Sequence, residues 1–487
     1  MCKQKISRRT FLGEASCKAI GSTAFLSSFL NLGMINTIAA RPHIISNTED
    51  YKAMVCILLA GGADTFNVLV PTESSEYADY VATRGSLALD KDATDPEQLI
   101  NLDYDDNGRT FAIHAGMTKV RDMFDDGNLS FVTNIGTLIE PIANAADYQS
   151  GTKKLPLGLY SHSDQIMQWQ TSVPQNRSAV GVAGRMADIL QDMNTIPNVS
   201  LNISLAGKNR FQTGNEYNEY SISNNTTVAN IGYDGLPSWW SNSGFLNDIK
   251  NGVINNAVEQ EYNNIFHQTM SSLTSQTAES IEIFKKAFGN IVPLSTTFSD
   301  TNLSRDLKKI AETISVRSYL GANRQIFFVT LGGWDHHDNV IGNQNVMLPI
   351  VSNALSEFND AMTEIGMQDD VVTFTISDFA RTLTTNGNGS DHAWGGNQII
   401  MGGPINGGQI FGDYPSLALD GNDLNLSNRG RILPTTSVDE FYAELALWFG
   451  ASPNDLDYIL PNLCNFYSSN NCTEPPLSNY APIGMFS

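Results

Sequence analysis

The sequence predicts an α/β fold built on a doubly wound, mostly parallel sheet. Short and continuously apolar runs recur along the chain, which is typical of parallel strands covered by helices on both faces. Stretches with apolar residues three and four positions apart lie between and around these runs, as amphipathic helices require. This alternation, in a chain of 487 residues that is long enough for a large core, indicates a doubly wound α/β fold.

Five apolar runs are predicted to be strands of this sheet. They are Ala53–Leu59, Leu129–Asn134, Gln325–Leu331, Val371–Ile376 and Gln398–Met401. The helical patterns cover Met117–Asp125, Val180–Met193, Leu303–Leu320 and Val346–Ile365. A C-terminal helix is predicted to begin after Ser437, whose hydroxyl can cap it, and to end at Gly450.

The N-terminus has the pattern of a twin-arginine export signal. Arg8 and Arg9 precede Phe11 and a modestly apolar run that ends at Ala39-Ala40, a small-residue cleavage site. We therefore expect residues 1–40 to be a removable signal that is recognised by the twin-arginine export machinery. The mature protein is then expected in the periplasm, on the cell surface or in the medium. Because this route carries folded chains, a metal ion can be bound before export.

The charge balance excludes some classes of partner. The chain has 29 basic and 51 acidic residues, for a formal net charge of −22. Such a field repels phosphate backbones, so we expect no nucleic-acid partner. No stretch after the signal approaches the roughly 18 consecutive apolar residues of a membrane span, so we expect no membrane anchor after cleavage.

The middle of the chain differs from its two ends. We expect the α/β core to be formed by residues 41–195 and 301–487, the second part including the C-terminal tail. Residues 196–300 are rich in Asn, Ser and Thr, and they contain the aromatic pair Trp239-Trp240. This block is interpreted either as an insertion that caps the carboxyl edge of the sheet, where α/β enzymes keep their sites, or as a peripheral subdomain.

Cysteine usage places a limit on the metal chemistry. Cys56 lies in a predicted strand and is expected to be a small buried hydrophobe. Cys464 and Cys472 flank a polar loop and either form a disulfide or remain free thiols. Because no pair of cysteines has the spacing of a zinc site, any metal site must be built from His, Asp and Glu.

Acidic side chains follow three of the predicted strands. Asp64 comes after Gly61-Gly62, Asp378 comes directly after Val371–Ile376 and Ser377, and the run Asp335-His336-His337-Asp338 follows a third strand. Asp335 and His337, two positions apart, can converge on one ion from an extended segment. The alternatives are an ordinary glycine turn at Asp64, a solvated loop at Asp335 and a helix cap at Asp378.

Two further motifs carry a histidine. His392 follows Asp391 in a glycine-rich loop, where it is either a metal ligand or a structural histidine. His162 follows Ser161 at the start of a predicted helix. Ser161 is either a nucleophile, with its alkoxide stabilised by a cation and the helix dipole, or a helix cap. Four of the seven histidines of the chain fall in these three histidine-bearing motifs, which favours metal chemistry. No Gly-x-Ser-x-Gly elbow of a serine hydrolase follows a strand.

The order of these motifs resembles the bacterial family of domain of unknown function 1501, within the alkaline-phosphatase and sulfatase-like superfamily. The matching segments are Gly61–Asp64, Phe111–His114, Ser161-His162, Gly181–Arg185, Gly332–His337, Ser377–Thr382, Asp391-His392 and Gly402-Gly403. The resemblance implies a three-layer α/β/α sandwich with a two-metal site, typically zinc, at the carboxyl ends of the central strands.

The resemblance also implies roles for residues. One metal would be held by Asp64, Asp378 and a hydroxyl nucleophile, for which Ser161 is the candidate, and the other by Asp335, His337 and His392. Arg381 would neutralise an anionic substrate or pair with a carboxylate of the site. The chain departs from the pattern at Asp378, where the family usually has Glu, and at Phe379, where superfamily phosphatases have His. One metal site is therefore either incomplete or single, with His162 or Asp391 completing it.

The function expected from the sequence is an exported, metal-dependent hydrolase of phosphate or sulfate esters. Its substrate would be a small-molecule or polymer ester, attacked by Ser161 or by water, and its cofactor would be one or two divalent ions, zinc by resemblance. The alternative is a non-catalytic periplasmic or surface protein of the same fold that binds carbohydrate or cell-envelope material. The aromatic block in residues 196–300 suits carbohydrate stacking as well as it suits a substrate lid.

Overall fold

The computed structural model describes residues 50–197, 199–224, 280–467 and 480–486. Its strands are β1 (Lys52–Ala60), β2 (Leu69–Pro71), β3 (Leu99–Asp106), β4 (Arg109–His114), β5 (Leu129–Gly136), β6 (Asn202–Ser204), β7 (Tyr220–Ser221), β8 (Arg324–Gly332), β9 (Val371–Ser377), β10 (Gly396–Met401), β11 (Ile410–Phe411) and β12 (Thr436–Ser437). Its helices are α1 (Ser74–Arg84), α2 (Thr118–Asp125), α3 (Ala145–Gln149), α4 (His162–Thr171), α5 (Val182–Leu190), α6 (Asn302–Ser315), α7 (Val340–Glu364), α8 (Val438–Phe449) and α9 (Leu456–Ile459). Residues 280–288 are helical as well.

Nine of the described strands form one mixed sheet. Their order is β11-β5-β10-β9-β1-β8-β6-β7, with β12 beside β5. β1 is parallel to β8 and β9, and β6 continues the parallel arrangement beyond β8. β10 runs antiparallel to both of its neighbours, β9 and β5. The carboxyl ends of β1, β8 and β9 and the amino end of β10 therefore lie at one edge of the sheet, which we call the site edge.

The two faces of the sheet bury separate hydrophobic cores. Along β1, Val55 and Ile57 point into one core, which also contains apolar residues of α2, α6 and α7. Met54 and Cys56 point into the other core, with α5, α8 and α9. This alternation follows from the two-residue period of a strand, and it makes three layers, helices, sheet and helices. The predicted three-layer α/β/α fold with a mostly parallel sheet is confirmed, and Cys56 is buried as expected.

The predicted strands and helices are confirmed with shifts at their ends. The main shift is in α7, which begins at Val340 rather than at Val346 and contains Pro349. Gly342 and Asn343 weaken the helical pattern before Val346, so the sequence does not predict the first turns of α7. The three-stranded antiparallel sheet β2-β4-β3 was not predicted, because β2 has only three residues and β3 carries acidic residues typical of loops.

Parts of the predicted domain organisation lie outside the described residues. These parts are the export signal at 1–40, most of the block 196–300 and Cys472, for which the sequence allows either a disulfide with Cys464 or a free thiol. The domain boundaries, the signal and the disulfide therefore stay predictions. No helix among the described residues is both long and apolar enough to cross a membrane.

Helix α8 begins with an interlocked cap that buries an acidic residue. Ser437 accepts a hydrogen bond from the backbone of Asp439, and Glu440 reaches back to the amide of Ser437, which forms the predicted cap. Gly450 ends the helix in the left-handed conformation, also as predicted. Asp439 is fully buried, and burial raises the pKa of its carboxyl to about 8, against the opposing effects of hydrogen bonding by Ser172 and the charge of Arg185.

The pKa of Asp439 predicts an alkaline loss of stability. Since the folded pKa lies above the unfolded value near 3.8, the folded state holds a proton that the unfolded state releases. Stability is therefore full below about pH 4 and falls as the pH rises through about 8. We expect Asp439→Asn to raise the free energy of unfolding by up to about 1.4 kcal/mol for each pH unit between about 4 and 8, with little effect at about pH 4 and the full effect at about pH 8. Thermal unfolding at both pH values tests this, with the exposed Asp457→Asn as control. Equal shifts at both pH values would contradict it.

Candidate metal centre

Histidine and aspartate side chains from four distant parts of the chain meet at the site edge. Asp335 and Asp378 follow the carboxyl ends of β8 and β9. His392 precedes β10, which enters the sheet at this edge because it runs antiparallel to β9. His162 is the first residue of α4. The topology thus brings together four motifs that the sequence analysis treated separately.

Two glycines allow the end of β1 to pack against this edge. Gly61 and Gly62 have φ angles of 125° and 77°, in the region that favours glycine. A Cβ atom at Gly61 would lie 2.5 Å from the backbone nitrogen of Asp335, and one at Gly62 would lie 2.4 Å from a ring carbon of Phe379. The glycine pair therefore serves the close packing of the segments that carry Asp335 and Phe379.

The donor atoms of three side chains converge. One ligand atom each of His162, Asp335 and His392 lie within 4.8 Å of one another. The two carboxylate oxygens of Asp335 are 3.5 Å from Nε2 of His162 and 3.4 Å from Nε2 of His392. Nε2 of His337 lies 3.1 Å from Asp335 Oδ1 and 2.8 Å from Nε2 of His392. We call these four residues, His162, Asp335, His337 and His392, the His–Asp cluster.

The other ring nitrogen of each histidine is held by a fixed acceptor. Nδ1 of His162 is 2.7 Å from a carboxylate oxygen of Asp378, and Nδ1 of His337 is 3.1 Å from one of Asp391. Nδ1 of His392 is 2.7 Å from the carbonyl oxygen of Tyr160, whose backbone has a left-handed φ of 70°. Ionised carboxylates and carbonyls only accept hydrogen bonds, so these contacts assign the proton to Nδ1. In a neutral imidazole with its proton on Nδ1, the lone pair of Nε2 is free to bind a metal ion.

This arrangement fits a divalent ion such as zinc. With both Nε2 atoms unprotonated, the lone pairs of His337 and His392 meet at 2.8 Å, which is repulsive unless a cation shares them. Ligands of a tetrahedral zinc ion with bonds of about 2.0–2.1 Å lie about 3.3 Å apart, close to the separations within the His–Asp cluster. Burial lowers the pKa of His392, which keeps that ring in the neutral form that binds metals.

The His–Asp cluster is open on one side and closed on the other. Its side chains are exposed by 21–45 %, whereas the carboxylate beneath His162, Asp378, is 1 % exposed. The ring of Phe379 packs against the rings of His162 and His392, with centroids 4.8 and 4.4 Å apart. An apolar wall thus stands at the position where superfamily phosphatases have a histidine.

Asp378 orients a ligand and is outside the group of converging donors. Its Oδ2 accepts from His162, and its Oδ1 accepts from the backbone nitrogen of Gly61 at 2.9 Å. In the structure Asp378 is the acceptor that fixes the His162 ring, and its predicted role as a metal ligand stays a prediction. The sequence could not separate these roles, because both place an acidic residue at the end of β9.

The role of Asp378 predicts weaker metal binding when it is lost. Asp378→Ala removes the acceptor of the Nδ1 proton, and we expect the affinity for zinc to fall about 10–100-fold. Competition with a chromophoric chelator measures the affinity. Asp369→Ala, at the exposed opposite end of the same strand, is the control and should leave it unchanged. An unchanged affinity in Asp378→Ala would show that the contact with His162 does not orient the ligand.

Arg381 is buried beneath the His–Asp cluster. Its side chain is 0 % exposed, and it donates to the carbonyl oxygens of Gly61 (2.6 Å), Gly62 (2.7 Å) and Ser390 (3.1 Å). It also pairs with Asp335. Although burial alone would raise it, this contact holds the pKa of Asp335 below its ordinary value. Of the two predicted roles, the structure shows pairing with a carboxylate of the site, and contact with a substrate is blocked by burial.

Asp64 is not among the residues whose donor atoms converge with those of Asp335, and its predicted role as a ligand stays a prediction. It is fully buried, and its Oδ2 accepts from Arg84 at 2.7 Å and from Ser390 at 3.2 Å. Sequence reasoning missed Arg84, because this residue lies in the last turn of α1 and no spacing rule links it to Asp64.

Ser161 is the residue before α4 and neighbours His162. Its hydroxyl makes no capping hydrogen bond and lies 3.1 Å from the hydroxyl of Ser163. The side chain is half-buried. The alternative role of a hydroxyl cap is therefore not observed, and the role of Ser161 as a nucleophile stays a prediction.

Comparison with known proteins is consistent with the motifs. Residues 259–449 match the family described as protein of unknown function (DUF1501). This span contains Asp335, His337, Asp378 and His392. No curated protein matches the chain.

Similar solved structures have low identity to this chain. They include the lipoteichoic acid synthase LtaP from Listeria monocytogenes, at 10% identity over 83% of this chain and 81% of that one, with a TM-score of 0.31. The PsFucS1 sulfatase from Pseudoalteromonas sp. has 10% identity over 84% and 74% of the chains and a TM-score of 0.29. A mutant of the alkaline phosphatase PafA has 12% identity over 68% and 63%, with a TM-score of 0.22. With TM-scores this low, the likeness says nothing about the chemistry of this chain.

Proposed function

We propose that this protein is a metal-dependent hydrolase of phosphate or sulfate esters. One observation carries the proposal: ligand atoms of His162, Asp335 and His392 lie within 4.8 Å of one another, Nε2 of His337 lies beside those of Asp335 and His392, and the Nδ1 atom of each imidazole is hydrogen-bonded to an acceptor. Such a preorganised set of neutral nitrogen and anionic oxygen donors is the arrangement that binds zinc in proteins.

The residues of the site have distinct roles in this proposal. His162, Asp335 and His392 hold a divalent ion, which supplies positive charge to polarise the ester and stabilise its transition state. Arg381 fixes the carboxylate of Asp335. Ser161 offers a hydroxyl as the nucleophile next to His162, with water as the alternative. The sequence resemblance supports the substrate class, since it relates the motifs to phosphatases and sulfatases.

Export is part of the proposal. The twin-arginine pattern at Arg8-Arg9 supports recognition by the export machinery and a location in the periplasm, on the cell surface or in the medium. An ion taken up by the folded chain in the cytoplasm would travel with it. Loss of export when both arginines are replaced by lysine is the direct test of this point.

A second candidate function is a non-catalytic binding protein of the same fold. The position of His337 favours it, because four side chains would fill every position of a tetrahedral ion. Structural zinc sites have four protein ligands, whereas catalytic sites keep one position open. His337 is 45 % exposed, so its side chain has room to leave the ion when a substrate binds.

Turnover of aryl esters separates the two candidates. The mature protein, loaded with zinc or manganese, is expected to hydrolyse p-nitrophenyl phosphate or p-nitrophenyl sulfate, and His392→Ala is expected to lose both the ion and the activity. His267→Ala changes the same residue type outside these motifs and is the matched control. A protein that holds the ion in the His–Asp cluster but hydrolyses neither ester would support the binding protein and overturn the hydrolase.

A further inference from the structure

Both carboxylates that the family resemblance assigns to a second metal are already engaged. Asp378 has one oxygen on His162 and the other on the amide of Gly61. Asp64 has one oxygen on Arg84 and Ser390. Oδ1 of Asp64 is the remaining acceptor of the two carboxylates without a partner among the described residues. A second ion would have to bind there.

The charge of Asp64 is neutralised by a guanidinium that is itself held in place. Arg84 is 0 % exposed, and its Nη2 is 2.7 Å from Asp64. Its Nε donates to the side chain of Asn67 at 3.1 Å, and its Nη1 donates to the carbonyl oxygens of Thr382 and Leu383, each at 3.2 Å. Every nitrogen of the guanidinium thus has an acceptor, so Arg84 cannot leave Asp64 without stranding several buried groups.

A second buried guanidinium, that of Arg381, is linked to Asp64 through Ser390. Arg381 donates to the carbonyl oxygen of Ser390, and the hydroxyl of Ser390 donates to Asp64. Asp64 and Asp335 are therefore each paired with a buried arginine, Arg84 and Arg381. An additional divalent ion at Asp64 would be repelled by fixed positive charge in a region of low dielectric.

We propose that the site binds a single divalent ion and that the buried guanidinium of Arg84 takes the place of a second ion at the carboxylate of Asp64. This proposal rests on the metal site of the proposed function, and it reduces the expected number of bound ions from two to one. Asp64 is then the counterion of Arg84 and not a metal ligand, and the double-metal arrangement implied by the resemblance does not form.

Metal content of the full mature protein tests the inference. After removal of metal and reconstitution with zinc, mass spectrometry is expected to find one equivalent per chain in the wild type. Asp64→Asn combined with Arg84→Met removes both charges of the pair, and this double variant is expected to keep one equivalent with an affinity within about 3-fold of the wild type. His162→Ala is expected to lose it.

Three results would overturn the inference. Two equivalents in the wild type would do so, most directly if one of them is lost in His336→Ala, because the His336 ring is buried and interacts electrostatically with Asp64. Loss of the ion in the double variant would show that Asp64 is a ligand of the ion. A wild-type protein without a bound ion would show that the His–Asp cluster is not a metal site. One equivalent in a protein without esterase activity would instead contradict only the proposed hydrolase.

Discussion

Replacing Asp335 with asparagine is expected to abolish tight binding of a divalent ion and to lower ester hydrolysis by at least about 10³-fold. Asp335 supplies the one anionic ligand of the His–Asp cluster, and its two oxygens face the Nε2 atoms of His162 and His392. Asparagine keeps a carbonyl oxygen for Arg381, so the buried guanidinium retains an acceptor. The effect should therefore appear in metal content and turnover more than in stability.

Asp338→Asn is the matched control for this prediction. Asp338 is an exposed acidic residue three positions along the same loop, and its side chain contacts Asn388 instead of the His–Asp cluster. The Asp338→Asn variant should keep one equivalent of metal and nearly all of the activity. Equal metal content in Asp335→Asn and Asp338→Asn would mean that the ion is held elsewhere.

The largest loss of stability is expected from Arg84→Met. This change leaves the carboxylate of Asp64 buried without its ion pair, and breaking a buried pair from one side costs about 3–5 kcal/mol. Asn67, Thr382 and Leu383 lose their donor as well. Chemical denaturation of the metal-loaded protein measures the difference in the free energy of unfolding.

A double-mutant cycle separates the ion pair from the packing of Arg84. Asp64→Asn in the Arg84→Met background removes the stranded charge, and we expect it to restore about 2–3 kcal/mol of the loss. The surface pair Arg121–Asp122, with both side chains more than a third exposed, provides a control pair whose coupling should be near zero. A cycle without coupling between Asp64 and Arg84 would show that the contact between them does not stabilise the folded protein.

The central sheet was predictable because its strands are buried on both faces. The run of β1 is apolar from Ala53 to Ala60, and that of β9 contains only the small hydroxyl residues Thr and Ser besides apolar ones, so a local pattern is sufficient to find them. The antiparallel direction of β10 was not predictable, since direction depends on the pairing with β5 and β9 and leaves no local mark. Yet this direction is what brings His392 to the site edge.

The candidate site was predictable in its members more than in their roles. Asp335, His337, His392 and His162 were predicted as ligands from their positions beside strands or a helix start, and their donor atoms do converge. The partners that fix them, such as the carbonyl of Tyr160 and the guanidinium of Arg84, come from loops and helices far along the chain. Such contacts follow from tertiary packing, and no spacing of residue types reveals them.

The location of the ion is the most direct test of the metal site. Crystals of the zinc-reconstituted protein, measured with X-rays on both sides of the zinc absorption edge, are expected to give one anomalous peak per chain. The peak should lie about 2.0–2.2 Å from Nε2 of His162, Nε2 of His392 and an oxygen of Asp335. A peak at Asp64 instead, or a fully folded protein without any zinc peak at the His–Asp cluster, would contradict this account of the site.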